Sequence, residues 1–120
     1  MKIVIETIPH SRQRYPTAGD WIFEDGELHV FVSDLGDVHM EALVGLHEVI
    51  EALLCDKNGI AEESVRAFDE ANPDSDDPGG LPYAPYHLEH VFAEGIERQV
   101  ARVLDVDWTI YAGRVAKLFG

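Results

Sequence analysis

The chain has 120 residues and carries 9 Lys and Arg against 23 Asp and Glu, so its formal charge is −14 at pH 7. This length suits one domain over residues 1–120, and the negative charge repels a phosphate backbone and argues against nucleic-acid binding. No segment approaches the roughly 20 apolar residues of a membrane span, and Cys55, the single cysteine, allows neither an internal disulfide nor a cysteine-rich zinc module. We therefore expect a cytoplasmic domain with no nucleic-acid or membrane partner.

The first third of the chain is rich in β-forming residues. Three such segments are separated by polar or glycine-containing stretches: residues 2–8, 21–24 and 28–33. Asp25-Gly26, between the last two, is typical of a hairpin turn, whereas Pro16 interrupts the longer connection before them. The pattern predicts a three-strand antiparallel sheet within residues 1–35.

The remaining residues, 38–120, have a helical apolar period. The predicted helices cover residues 38–56, 61–71 and 86–104, and a short last helix is capped by Asp107. An acidic loop rich in proline and glycine, at about residues 72–85, separates the second helix from the third. The sequence thus predicts an α+β domain in which three or four helices pack on one another and on one face of the sheet.

The helix predicted over 38–56 contains the sequence HEVIE, which begins at His47 and ends at Glu51. At about 100° per residue, these two side chains lie on the same side of the helix. Glu51 falls between Leu54 and Val44, within an otherwise apolar surface. Because burial of an unpaired carboxylate costs several kcal/mol, Glu51 requires a cation, a hydrogen-bond donor or a proton.

The same four-residue spacing recurs at His90 and Glu94, in the helix predicted over 86–104. If the two long helices pack antiparallel, both His and Glu pairs face one small volume. The sequence therefore predicts a metal centre with His47, Glu51, His90 and Glu94 as ligands. Zinc is the preferred ion, and manganese, iron and magnesium are alternatives. Three further residues stay open as the group that completes the site: Glu97, His87 and Asp69.

Glu48 follows His47 directly and lies about 100° around the helix from it. In a zinc hydrolase, a carboxylate at this position serves as the general base that activates water. Other acids and histidines have weaker patterns, and we expect them to be exposed or structural: Asp74, Asp76, Asp77, His10, His29 and His39.

Three longer stretches resemble a group of small uncharacterised proteins encoded by tailed bacteriophages and prophages. They are RYPTAGDW, HEVIEALLCDKNGIAEESVRAFD and DPGGLPYAPYHLEHVFAEGIE, and together they span much of the chain. The resemblance implies a phage origin and the cytoplasm of a bacterial host, but it implies no particular chemistry.

The five residues from His47 to Glu51 also resemble the His-Glu-x-x-His motif of zincin peptidases. That resemblance implies that His47 is a zinc ligand and that Glu48 is the base of a metal-dependent hydrolase. Glu51 stands where the family has its second histidine. A carboxylate there adds negative charge to the site and makes zinc-bound water less acidic.

Two alternative functions remain open from the sequence. The motifs Glu48-x-x-Glu51 and Glu94-x-x-Glu97 resemble the acidic helical motifs of nucleotide pyrophosphohydrolases, which implies Mg²⁺ bound against phosphates. In a non-enzymatic alternative, the acidic surface binds and inhibits a host protein.

Overall fold

The computed structural model describes residues 1–120 and contains three strands and four helices. The strands are β1 (Lys2–Ile8), β2 (Gly19–Glu24) and β3 (Glu27–Ser33). The helices are α1 (Val38–Lys57), α2 (Glu62–Ala71), α3 (His87–Val103) and α4 (Trp108–Ala116), and short 3₁₀ turns cover His10–Arg12, Pro78–Gly80 and Lys117–Phe119. The α+β prediction is confirmed. No helix combines the length and the apolar character needed to cross a membrane.

The sheet has the strand order β1-β3-β2 and is mixed. β2 and β3 form the predicted antiparallel hairpin, with Asp25 and Gly26 at φ 52° and 76° in its turn. The prediction of a wholly antiparallel sheet is wrong, because β1 pairs with β3 in parallel. The connection from residue 9 to residue 18 carries the chain past the position of β3, so β3 enters between the other two strands.

The physical reason for this order is the burial of β3. Its alternate residues Leu28, Val30 and Val32 are almost fully buried, whereas Ile3 and Ile5 of β1 are about half exposed. The strand with the most apolar inward face gains most from the central position, and the more exposed β1 is left at the edge.

Helix α1 packs against the sheet and continues its core. Asp37 caps the helix by accepting hydrogen bonds from the backbone N–H groups of His39 and Met40. Gly45 allows close approach to β1, because a Cβ there would lie 2.9 Å from Ile5 Cγ2. Helix α1 therefore packs closely against the sheet, which positions the polar side chains on its other faces.

Helices α1 and α3 run antiparallel, as the contacts between them demonstrate. Asn58 contacts Glu89 and Glu51 contacts His90, whereas the earlier residue His47 contacts Glu97. Residues near the end of α1 thus contact the start of α3, and earlier residues of α1 contact later residues of α3. This arrangement brings the two predicted His and Glu motifs to the same interface.

Candidate metal centre

Three side chains meet between α1 and α3 with the spacing of metal ligands. His47 Nε2 lies 3.1 Å from Glu51 Oε2, and His90 Nδ1 lies 3.0 Å from the same oxygen. The two ring nitrogens are 3.1 Å apart. A tetrahedral zinc ion with bonds of about 2.0–2.1 Å spaces its donor atoms about 3.3 Å apart. His47, Glu51 and His90 therefore form a group that could hold a metal ion.

Without a cation, the three atoms lie too close together for hydrogen bonds to satisfy all of them. His47 and Glu51 are only 7% and 3% exposed, so water contributes little to either. When both rings donate to Glu51 Oε2, two N–H groups meet at one oxygen with their nitrogens in close contact. When one ring donates to the other, one of the contacts with the carboxylate is lost. An ion among the three atoms would accept one lone pair from each of them at once.

His47 is oriented from behind by a carboxylate. Its Nδ1 lies 2.7 Å from Glu97 Oε1, and the other oxygen of Glu97 accepts a hydrogen bond from the Tyr111 hydroxyl. When Nδ1–H donates to Glu97, the lone pair of Nε2 is free to face the cluster. Metal-binding histidines are commonly fixed in this way by a carboxylate on the other ring nitrogen. In the same supporting role, Trp21 Nε1–H donates to Glu51 Oε1 at 3.1 Å.

His90 has a similar but looser support from the acidic loop. Its Nε2 lies 2.8 Å from Asp77 Oδ1, which is close enough for an ion pair. The angle is not that of a hydrogen bond, and the buried Nε2 has no hydrogen-bond partner. Gly79 brings the loop onto this ring, because a Cβ there would lie 2.5 Å from His90 Nδ1. Asp77 is about half exposed, as expected, but its contact with His90 is not predicted from the sequence.

The electrostatics of the metal-free cluster favour an anion between two cations. Burial would raise the pKa of Glu51, but hydrogen bonds from His47 and His90 outweigh it and lower the pKa to about 2. Burial would lower the pKa of His90, but Asp77 and Glu51 raise it to about 9. The pKa of His47 is likewise raised well above its usual value, because Glu51 and Glu97 outweigh the effect of burial. A bound divalent ion would replace these protons.

Glu48 lies beside the cluster but does not share its hydrogen bonds. Its carboxylate is 3.9 Å from His47 Nε2, makes no hydrogen bond and faces a cleft. The residue is only 9% exposed, and burial raises its pKa well above the usual range. A buried carboxyl group without a partner, next to a candidate metal position, has the surroundings of a general acid or base.

Gly19 fixes the position of Glu48, which yields a first testable prediction. A Cβ at Gly19 would lie 2.6 Å from Glu48 Cγ, so Gly19→Ala should displace the carboxylate and lower the free energy of unfolding by about 1–3 kcal/mol. Gly95→Ala is the matched control, because nothing lies within 4 Å of its Cβ position, and helix propensity should stabilise it by about 0.5–1 kcal/mol. Urea denaturation measures both. Equal stabilisation of the two variants would contradict this packing.

The other residues considered for the site have separate surroundings. Glu94 forms an ion pair with Arg98 at 3.5 Å and lies near Asp77 and His90 in a second, more exposed group of possible ligands. It is not part of the group formed by His47, Glu51 and His90. His87 Nδ1 is 3.0 Å from the carbonyl oxygen of Gly79 and holds the loop.

Asp69 lies apart from the cluster and is held by two tyrosines. The hydroxyl groups of Tyr15 and Tyr86 both donate to its carboxylate. Burial outweighs these bonds and raises the pKa of Asp69 to about 6. Its carboxylate thus joins α2 to the β1–β2 connection and to the start of α3.

A cleft of about 710 Å³ opens over the candidate centre. Its lining comes from the β1–β2 connection, α1, the end of α2 with the acidic loop, α3, α4 and the last 3₁₀ turn. The sequence does not identify three side chains that support the cluster: Trp21, Asp77 and Tyr111. They are far apart in the chain and belong to no motif, so only their aromatic or acidic character could have drawn attention to them.

Comparisons of the chain with models of protein families, with curated proteins and with solved structures gave no match. A function must therefore be inferred from the geometry of the cluster and its cleft.

Proposed function

We propose that the protein is a metal-dependent hydrolase, phage-encoded and active in the cytoplasm of its host. His47, Glu51 and His90 would hold the ion, zinc by preference, and a fourth coordination position would face the cleft. The observation that supports this best is the meeting of two ring nitrogens and one carboxylate oxygen within 3.0–3.1 Å of each other. Two histidines and one glutamate are also the ligand set of one class of catalytic zinc.

Zinc would polarise a water molecule and a substrate carbonyl group at this position. Glu48 would take the proton of the attacking water and pass it to the group that leaves when the bond to the carbonyl carbon breaks. Its missing hydrogen-bond partner and its position beside His47 support this role. Iron or manganese would also accept two imidazoles and a carboxylate, and they remain the main alternative ions.

The surroundings of the second acidic motif disfavour a magnesium-dependent pyrophosphohydrolase. Such an enzyme needs the carboxylates of both motifs turned toward one ion and its phosphates. Glu97 instead contacts His47 Nδ1 and accepts a hydrogen bond from Tyr111, and Glu94 pairs with Arg98. The formal charge of −14 favours the other alternative, an acidic protein that binds and inhibits a host protein.

Metal binding by tag-free protein tests the proposal directly. After treatment with a chelator, the protein would be titrated with Zn²⁺ against a chromophoric indicator, and Mn²⁺, Fe²⁺ and Mg²⁺ would follow by competition. We expect one zinc equivalent and a loss of affinity of at least about 100-fold in His47→Ala, because one of three protein ligands is removed.

Two further variants make the titration specific. His39→Ala removes an exposed histidine from the first turn of α1 and should bind zinc as the wild type does. Glu94→Gln should also retain binding if the ion is held by His47, Glu51 and His90. Absence of any bound divalent ion in the wild type would refute the proposal, as would equal losses in the His47 and His39 variants.

A further inference from the structure

The cleft over the candidate centre is lined by acidic residues and by no Lys or Arg. Eight Asp and Glu residues line it, together with three histidines, and no Lys or Arg does. The nearby arginines already have partners: Arg14 pairs with Asp20 and Glu62. Arg98 pairs with Glu94 and covers Trp108, two residues of the cleft lining. No Lys or Arg of the protein is therefore free to pair with a phosphate or carboxylate ligand in this cleft, and the cationic His47 and His90 are already paired with acidic side chains.

A bound metal ion would not reverse this charge. The two positive charges of a divalent ion would still leave the eight acidic residues of the lining in excess. Two of these acids, Glu70 and Asp76, are exposed at the end of α2 and in the acidic loop, away from the buried cluster. Clefts lined by one sign of charge concentrate ligands of the opposite sign.

The same cleft has a substantial apolar lining from the C-terminal part of the chain. The residues that supply it are Trp108, Tyr111, Val115, Leu118 and Phe119. Aromatic faces beside carboxylates are a favourable environment for ammonium and guanidinium groups and for the aliphatic stems that carry them.

Glu48 supplies an independent sign of a missing cationic or donating partner. It is 91% buried, has no hydrogen bond, and faces the cleft beside the cluster. Its oxygens are open to the cleft and have no hydrogen-bond partner in the protein, so a donor group from a ligand would satisfy them.

From these four observations we propose that the cleft binds a cationic peptide segment, in which Lys or Arg alternates with aromatic or aliphatic side chains. The same charges disfavour phosphate-bearing ligands. The inference names the substrate class of the proposed hydrolase and rests on that function for any cleavage step. Binding itself depends only on the charge and the apolar lining of the cleft.

Fluorescence anisotropy with three dansyl-labelled pentapeptide amides tests the proposal. The peptides share the frame Gly-Phe-X-Leu-X, with X as Arg, Gln or Glu, and each is titrated with intact protein in excess EDTA. We expect the Arg peptide to bind at least about tenfold more tightly than the Gln peptide, with an advantage that falls as salt rises. The Glu peptide and ATP should not bind.

A pair of double variants separates the cleft from the overall charge of the protein. Glu70→Gln with Asp76→Asn removes two acids that line the cleft, whereas Glu24→Gln with Asp25→Asn removes two at the β2–β3 turn. Only the first double variant should bind the Arg peptide more weakly than the wild type, by about tenfold.

Equal effects of the two double variants, or binding of the Glu peptide or ATP as tight as that of the Arg peptide, would overturn the proposal. Failure to bind zinc would refute the proposed hydrolase while leaving this selectivity in EDTA intact, so the two failures are distinguishable.

Discussion

Replacement of Glu51 with alanine should abolish zinc binding and lower the free energy of unfolding of the metal-free protein by about 3–5 kcal/mol. Glu51 accepts contacts from His47, His90 and the indole N–H of Trp21, and it is 3% exposed. Its loss leaves two buried imidazoles facing each other without the shared anion that raises their pKa values. Equilibrium urea unfolding in EDTA measures the stability effect, and indicator titration measures the binding.

Two other substitutions make the Glu51 result interpretable. Glu51→Gln keeps the shape and a hydrogen-bond acceptor for Trp21 but removes the charge, so it should be less destabilised than Glu51→Ala and still bind zinc poorly. Glu63→Ala removes an exposed acid from the first turn of α2 and should change stability by no more than about 0.5 kcal/mol. Zinc binding by Glu51→Ala at wild-type affinity would exclude Glu51 as a ligand.

The wild type should gain stability from zinc, and Glu51→Ala should not. With free zinc at about 100 times its dissociation constant, linkage predicts a gain of about 2.7 kcal/mol, because the ion binds the folded chain alone. The free energies of unfolding of the wild type and Glu51→Ala should then differ more in zinc than they do in EDTA.

Glu48→Gln is expected to give the second large effect, a loss of hydrolysis with metal binding retained. General bases contribute about 10²–10⁴-fold to rate, and Glu48 is the carboxyl group beside the cluster that has no other partner. The zinc affinity should change by no more than about threefold, because the side chain is not a ligand. Metal-free stability should change little, since glutamine has nearly the size and polarity of the protonated side chain.

The activity assay would use zinc-loaded protein with a pool of fluorogenic basic peptides. Ala18→Ser alters the lining of the same cleft without touching the cluster and serves as the control, with a rate close to that of the wild type. Hydrolysis by Glu48→Gln at the wild-type rate would exclude Glu48 as the base. Zinc binding without hydrolysis in the wild type would leave a metal-binding protein and refute the enzymatic part of the proposal.

The choice of partners around His47 shows how packing selects among residues that a helical wheel leaves equivalent. Relative to His90, Glu94 lies about 40° to one side of α3 and Glu97 about 20° to the other. Both border the apolar stripe, so periodicity cannot separate them. The position of α1 separates them: it brings His47 Nδ1 to Glu97 at 2.7 Å, while Glu94 faces Arg98 and the acidic loop.

The sheet illustrates the same limit. Alternation of apolar and polar residues identifies strands but is the same for parallel and antiparallel neighbours. Local turn chemistry at Asp25-Gly26 sufficed for the β2–β3 hairpin, because adjacent residues determine it. The parallel pairing of β1 depends on which strand buries its apolar face most fully, and that is a property of the assembled core.

By itself the sequence determined the α+β class, a set of three or four helices, the hairpin and the two long helices that carry His47, Glu51 and His90. These features follow from local spacing, and so did the expectation that Glu51 needs a partner on an apolar helix face. The tertiary structure alone decided the order of the strands, the support from Trp21, Tyr111 and Asp77, and a cleft without Lys or Arg. Contacts between residues distant in the chain depend on how whole elements pack, and no local pattern records that packing.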